Sequence, residues 1–228
     1  MANGVSTRSQ AATGTALSGP AARPTDQRIL DVATALFYEK GYHGTTMREV
    51  AAGVGIKAGS VYNHFSSKEE LLFQIAEGVM QNLLAAGREA VAVGPEPRDQ
   101  LRGLVRAHVV YHAEQRFQAK VADDELNALG PERRPAVVAV RDAYEQLWRD
   151  VLDAGRTAHG WIVPDTPVVT FAITTMCTAV DVWYREDGRL TPSEIADVYE
   201  QLALGALGAN ARPADAAAQP SSFSLAGS

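Results

Sequence analysis

The 228-residue chain is predicted to fold as an all-α protein of about nine helices, and three observations lead there. Apolar residues recur at helical spacing from about Thr25 to Leu207. Breaks at Gly94-Pro95, Gly130-Pro131, Gly160 with Pro164 and Gly188 with Pro192 cut that pattern into helix-length pieces. No segment sustains the alternation of period two that a half-buried strand needs.

Residues 1–24 and 209–228 are rich in Ala, Pro, Ser and Gly, with little to bury, and are expected to be disordered tails. Arg8 and Arg23 in the first tail are candidates for a DNA minor groove, against the plainer reading of a solvated tail. Ile29, Ala33, Leu36 and Phe37 then give a first helix one apolar face, with Thr25 or Asp26 as its cap and Gly41 as its stop. Thr46 followed three residues later by Glu49 is a capping-box pattern, so a second helix starts there, carrying Met47, Val50 and Ala51 and stopping near Gly53. Gly55 marks a turn, and a short third helix spans about Ala58 to Phe65. Ser67 caps a longer helix whose apolar side is Leu71, Leu72, Ile75, Val79, Leu83 and Leu84. Beyond the break at 94–97, helices are expected at roughly 98–113, 116–128, 132–158, 166–185 and 192–207.

Two short helices joined by a tight glycine turn, between about Thr46 and Phe65, have the form of a helix-turn-helix. In that geometry the second helix lies in a major groove while the first crosses the backbone. Val50, Ala51, Val54, Ile56, Val61 and Phe65 are expected to hold the pair against Leu36 and Phe37, with small Ala51 at the closest crossing. Thr46, at a helix start, offers a hydroxyl and free amides to phosphate, and Arg48, Tyr62, His64 and Lys68 are further phosphate candidates. Lys57, Ala58, Gly59, Ser60 and Asn63 occupy the entry and outer face of the recognition helix, with Lys57 suited to guanine and Asn63 to adenine edges. Taken singly, Tyr62, His64 and Lys68 read equally well as ordinary surface residues; their joint spacing favours a binding face. The net charge of −6 does not exclude a nucleic-acid partner, because Lys40, Arg48, Lys57 and Lys68 against Glu49 give the stretch 40–68 a local excess of +3.

This stretch resembles the DNA-binding domain of the TetR family of regulators over residues 25 to about 72. Gly41-Tyr42-His43-Gly44-Thr45-Thr46, Val50-Ala51, Gly55-Ile56 and Gly59-Ser60-Val61-Tyr62-Asn63-His64-Phe65-Ser66-Ser67-Lys68-Glu69-Glu70-Leu71 follow the family's pattern. Gly53 and Val54 depart from it: Ala or a polar residue is usual at the first and small Ala at the second, and Gly53 is expected to loosen the end of its helix. The resemblance implies a three-helix DNA-binding head at 25–72 and a ligand-binding and dimerisation body at 73–208. The segment Trp183 to Ala196 resembles the junction of the last two helices in a subgroup whose members pair through those helices, some responding to acyl-CoA thioesters.

The residues of the body add to this. The run from Val168 to Trp183 is apolar on more than one face, and Ile195, Val198, Leu202, Ala203 and Leu207 form a stripe on the final helix, which suits a homodimer built on the last two helices. Candidates for an apolar effector pocket are His108, Tyr111, His112, Tyr144, Trp148, Thr175, Met176 and Trp183, each of which reads alone as core packing. His108 and His112 have metal-ligand spacing but no third ligand, so no metal and no cofactor are expected. Asp181, among apolar neighbours, is expected to pair with Arg141 or Arg185 or to face the dimer surface. Lone Cys177 reads as a small buried hydrophobe rather than a redox sensor.

The function expected is a transcriptional repressor, released from a palindromic double-stranded operator by a small apolar or acyl-CoA-type effector. The alternative is an activator or a ligand-independent DNA binder. No nucleophile set, carboxylate pair or phosphate loop supports an enzyme. No signal sequence or long uninterrupted apolar run is evident, so a cytoplasmic location without a membrane partner is expected.

Overall fold

The structure, a computed structural model, describes residues 24–209. The tails, with Arg8 and Arg23, lie outside them apart from Pro24 and Ala209.

Helix α1 (Thr25–Gly44) starts with Pro24 at the cap position and no side-chain cap, so the expected cap by Thr25 or Asp26 is not made. Gly41 interrupts α1 at φ 74°, a conformation open to glycine, and one more turn follows it. Helix α2 (Met47–Val54) has the expected box: Glu49 N–H donates to Thr46 Oγ1, and Thr46 N–H donates to Glu49 Oε2 at 2.8 Å. The helix does not fray at Gly53. It runs to Val54 and ends at Gly55, φ 78°. Helix α3 (Ala58–Tyr62) is shorter than expected, although Phe65 N–H still donates to Val61 O. Helix α4 (Lys68–Val93), capped by Ser67, is one continuous rod of 26 residues, so the expected domain boundary at 72 falls inside its second turn.

The body adds α5 (Pro97–Glu114), α6 (Arg116–Asp124), a 3₁₀ turn at Leu126–Ala128, α7 (Arg134–His159), α8 (Thr166–Thr178), α9 (Val180–Trp183) and α10 (Pro192–Ala206). The expected helix 116–128 breaks at Glu125, whose carboxylate reaches α1. The expected helix 166–185 breaks at Ala179, inside a run rich in β-branched residues that lose rotamer freedom in a helix. With α8 and α9 counted as one interrupted helix, the described residues hold the nine helices expected, and no strand is found among them.

The body's core lies where α5 is packed by α4, α7, α8 and α10. Leu83, Leu101, Leu104, Trp148 and Leu152 are fully buried there. Gly87 on α4 permits the close approach of α7, since a Cβ would fall 2.9 Å from Tyr144 Cε2. The far side of α8, α9 and α10 is different. Phe171 is 71% exposed and Leu202 51%, and Val168, Val182, Trp183 and Val198 are exposed with them. The 18-residue stretch Thr166–Trp183, mean hydropathy 1.3, is long and apolar enough by those two measures to cross a membrane, which the count of consecutive apolar residues did not register. It contains the helix break at Ala179 and the acidic Asp181.

Candidate nucleic-acid interface and effector cavity

The head is a packed trio. Ile29, Ala33 and Phe37 of α1, Val50, Ala51 and Val54 of α2, Val61 of α3, and Phe65 are all buried, as the spacing required. Leu36 and Ile56 are half-buried against them. Ala51 is buried between the helices as its small size allows, and α1 also comes close to α2 at Gly53, where a Cβ would meet Val32 Cγ1 at 2.6 Å. The departure at Gly53 therefore has a packing reason. Val54, the other departure, is buried, and its carbonyl accepts a 2.8 Å hydrogen bond from Arg28 Nη2, tying α2 to the start of α1.

With Val61 turned inward, the other side of α3 and its flanks is left to solvent. Lys57, Gly59, Tyr62 and Asn63 are exposed, and Ala58 and Ser60 are half-exposed. Thr46 and Arg48, at the start of α2, are also exposed. His64 is exposed and pairs through Nδ1 with Asp26 of α1, which fixes its ring at the edge of this face. Lys68 differs from the phosphate donor expected. Its ammonium donates to Tyr42 O at 2.6 Å and Thr45 O at 2.8 Å and lies 4.2 Å from the Tyr42 ring centroid. Two of its three N–H groups therefore hold the α1–α2 junction, and one is left for a phosphate. Lys40 and Glu49 pair at 2.8 Å. Hydrogen bonds from Lys40 and Thr46 lower the Glu49 pKa to about 2.

The body contains a cavity of about 280 Å³ among α4, α5, α6, α7 and α8. Of the candidate pocket residues, His108, His112, Tyr144 and Thr175 line it. Trp148, fully buried, stands behind the wall, its ring edge-on to His108 at 5.8 Å. Tyr111 faces a separate polar cleft of about 200 Å³ between α1, α4, α5 and α6. Trp183 borders a surface hollow beside Ile195, and Met176 packs half-buried on the core.

His108 is saturated: its Nδ1 lies 2.9 Å from Tyr144 Oη and its Nε2 2.9 Å from Thr178 Oγ1. Burial, with His112 alongside, pushes its pKa well below the ordinary value and keeps the ring neutral. His112 stacks on it at 4.4 Å, with Nδ1 buried and without a hydrogen bond. Asp181 Oδ2 lies 3.9 Å from that atom, so Asp181 pairs inward with His112 and not with Arg141 or Arg185. Arg141 Nη2 instead donates to Asp123 Oδ1 at 3.3 Å, on the cavity wall. Burial raises the Asp123 pKa. Cys177 is buried, and desolvation pushes its thiol up to about 12, the state of an inert hydrophobe. No grouping of three or more metal-ligating side chains occurs among the described residues.

Sequence reasoning missed Asp123, Arg141, Glu145, Phe171, Thr174 and Thr178 on this wall. The signal was present in spacing. Arg141 and Glu145 share a helix face with Tyr144 and Trp148, and Phe171, Thr174 and Thr178 share one with Thr175.

Comparison with known proteins follows the same division. The family described as "Bacterial regulatory proteins, tetR family" matches residues 29–75, and "Tetracyclin repressor-like, C-terminal domain" matches residues 94–207. The HTH-type transcriptional repressor KstR2 of Rhodococcus jostii (strain RHA1) is 34% identical over 196 residues, 83% of this chain and 93% of that protein. The solved structure of the ketosteroid transcriptional regulator KstR2 of Mycobacterium tuberculosis superposes with a TM-score of 0.74 at 30% identity, covering 81% of this chain and 95% of that one. AibR, solved in complex with isovaleryl coenzyme A and operator DNA, superposes with a TM-score of 0.70 at 26% identity, covering 78% and 97%.

Proposed function

Because the chain belongs to the TetR family of bacterial regulatory proteins, we propose that it acts as a homodimeric transcriptional repressor in the cytoplasm, freed from a near-palindromic operator when a small molecule enters its body. The observation that carries this reading is the head itself. Val61 anchors α3 in the core while Lys57, Gly59, Tyr62 and Asn63 face outward beside Thr46 and Arg48. Helix α3 is the element that enters the major groove, with Lys57 and Asn63 at base edges. Arg48, Tyr62, His64 and the spare N–H of Lys68 engage phosphate, and Ala58, Gly59 and Ser60 permit close approach of the backbone. Thr46, whose N–H and hydroxyl both donate to the Glu49 carboxylate, instead caps the start of α2 beside this face. Two heads are needed to span successive grooves, and the exposed apolar faces of α8, α9 and α10 supply the surface that joins them.

The cavity bounded by His108, His112, Asp123, Arg141, Tyr144 and Phe171 is the effector site. Its volume of about 280 Å³ suits a compact apolar compound, or the acyl part of a thioester such as the one AibR holds. Helix α4 lines the cavity with Met80 and Leu83 and begins at Lys68 beneath the head, so a shift of α4 changes the spacing of the heads. A coupling of about 1–3 kcal/mol weakens operator binding roughly 5- to 150-fold. Head (25–72) and body (73–208) are the functional units of this reading, with α4 continuous through both, and it assigns the chain no catalytic step. Selection of a duplex from a random library by the purified protein, followed by titration with Tyr62→Ala, tests it. Loss of affinity on removing this side chain is expected; undiminished affinity overturns the assigned face.

A further inference from the structure

The C-terminal end of helix α6 meets both the cavity and the head. Asp123, on its last turn, lines the cavity and accepts the hydrogen bond of Arg141 from α7. Two residues on, Glu125 Oε1 accepts the backbone N–H of Tyr42 at 2.9 Å, across a sequence separation of 83. That N–H follows Gly41, where the φ of 74° interrupts the ladder of α1, so the Glu125 carboxylate satisfies a donor that the helix leaves over. Tyr42 in turn carries the Lys68 ammonium on its carbonyl and its ring, and Lys68 also holds Thr45 O, the residue before the cap of α2. The same segment reaches the head twice more. Phe117 of α6 packs edge-on against Tyr38 of α1 at 4.7 Å, and Gly130 N–H donates to Glu69 Oε1 at the start of α4 at 2.9 Å.

We infer that Glu125 is a positioning residue for DNA recognition: it latches the α1–α2 junction to the effector cavity directly through the end of α6, without running along the length of α4. A cavity occupant that draws Arg141 from Asp123 shifts the end of α6, and the Glu125–Tyr42 bond slackens with it. The Lys68 clamp on Tyr42 O and Thr45 O then loses its fixed base, and Thr46 and Arg48 move relative to the operator backbone. The trigger rests on the effector reading of the cavity; the latch itself requires neither ligand nor DNA.

The Tyr42 amide reports the latch, and its hydrogen exchange in the full chain tests it without either partner. Glu125→Ala is expected to speed that exchange by about tenfold, the loss of one well-made hydrogen bond to a charged acceptor. Glu125→Gln keeps a carbonyl acceptor and restores most of the protection. Arg141→Ala, a change on the cavity wall, is expected to speed Tyr42 exchange while leaving the Val50 amide in the head core unchanged, and to add nothing to Glu125→Ala. Tyr42 exchange unmoved by Arg141→Ala overturns the inference. So does an equal acceleration of Val50, or an undiminished Arg141→Ala effect in the Glu125→Ala chain, either of which marks general loosening. A protein that fails to bind duplex DNA yet shows the expected exchange pattern separates failure of the repressor reading from failure of the latch.

Discussion

Gly53 on α2 and Val32 on α1 meet so closely that a single added methyl group at Gly53 would lie 2.6 Å from Val32 Cγ1. This contact is part of the crossing of α1 with α2, the helix that carries Thr46 at its cap and Arg48 in its first turn. Gly53→Ala gains about 0.5–1 kcal/mol of helix preference and incurs overpacking of about 1–3 kcal/mol. A fall in the thermal midpoint is therefore expected, with recovery in the Gly53→Ala/Val32→Ala pair. A rise in the single variant would contradict the crossing.

Lys68 and Arg48 separate structure from contact. Lys68→Ala removes the donor to Thr45 O and one of two donors to Tyr42 O, which keeps the Thr45 N–H, so it is expected to lower both stability, by about 1–3 kcal/mol, and operator affinity. Arg48 is exposed, and Arg48→Ala is expected to weaken operator binding while changing stability by no more than about 0.5 kcal/mol. Denaturant unfolding paired with a binding titration reads both. Equal stability losses in the two variants would refute the distinction.

Glu49 gives the head a defined acid response. Hydrogen bonds from Lys40 and Thr46 lower its pKa from 4.5 to about 2. The stabilisation is fully present above the unfolded-state value of 4.5 and is lost as pH falls toward 2. Thermal midpoints should therefore fall more steeply between pH 4.5 and 2 in the natural chain than in Glu49→Gln. Parallel curves would place the acid sensitivity elsewhere.

The apolar face of α8 and α10 should behave as a subunit contact. A charge at Phe171 or Leu202, both more than half exposed in the single chain, would be buried without a partner in a dimer. Phe171→Glu and Leu202→Glu are expected to sediment as monomers, with the midpoint of the head unchanged. Retention of the dimer by both would move the interface to another surface.

Much of this architecture was readable in the sequence, because the signals were local. The Thr46/Glu49 box, the glycine turn at Gly55 and the spacing of Ile29, Ala33 and Phe37 depend on neighbours within a few residues. What escaped was set by contacts between distant segments. Gly53 reads as a weak helix end until Val32 is placed against it. Lys68 reads as a solvated cation until the Tyr42 and Thr45 carbonyls converge on it. Asp181 reads as a partner for Arg141 or Arg185, or as a dimer-surface residue, until α9 is packed on α5, because its distance from His112 is not encoded in spacing along one helix. Trp148 and Met176 have the composition of pocket residues, and the rotation of their helices turns them from the cavity.

The account stands on α3 reaching the bases of duplex DNA from two joined subunits. The most direct measurement is a titration of the purified protein against a selected palindromic duplex at graded salt, with Lys57→Ala and Tyr62→Ala alongside. Two protomers per duplex are expected, with affinity falling by orders of magnitude between about 50 and 200 mM salt if some six to ten phosphates are contacted. Tyr62→Ala should weaken binding by removing a phosphate contact, and Lys57→Ala should cost about 1–3 kcal/mol and relax preference at one base pair. Binding of one protomer, or affinity indifferent to salt and to both substitutions, would contradict it.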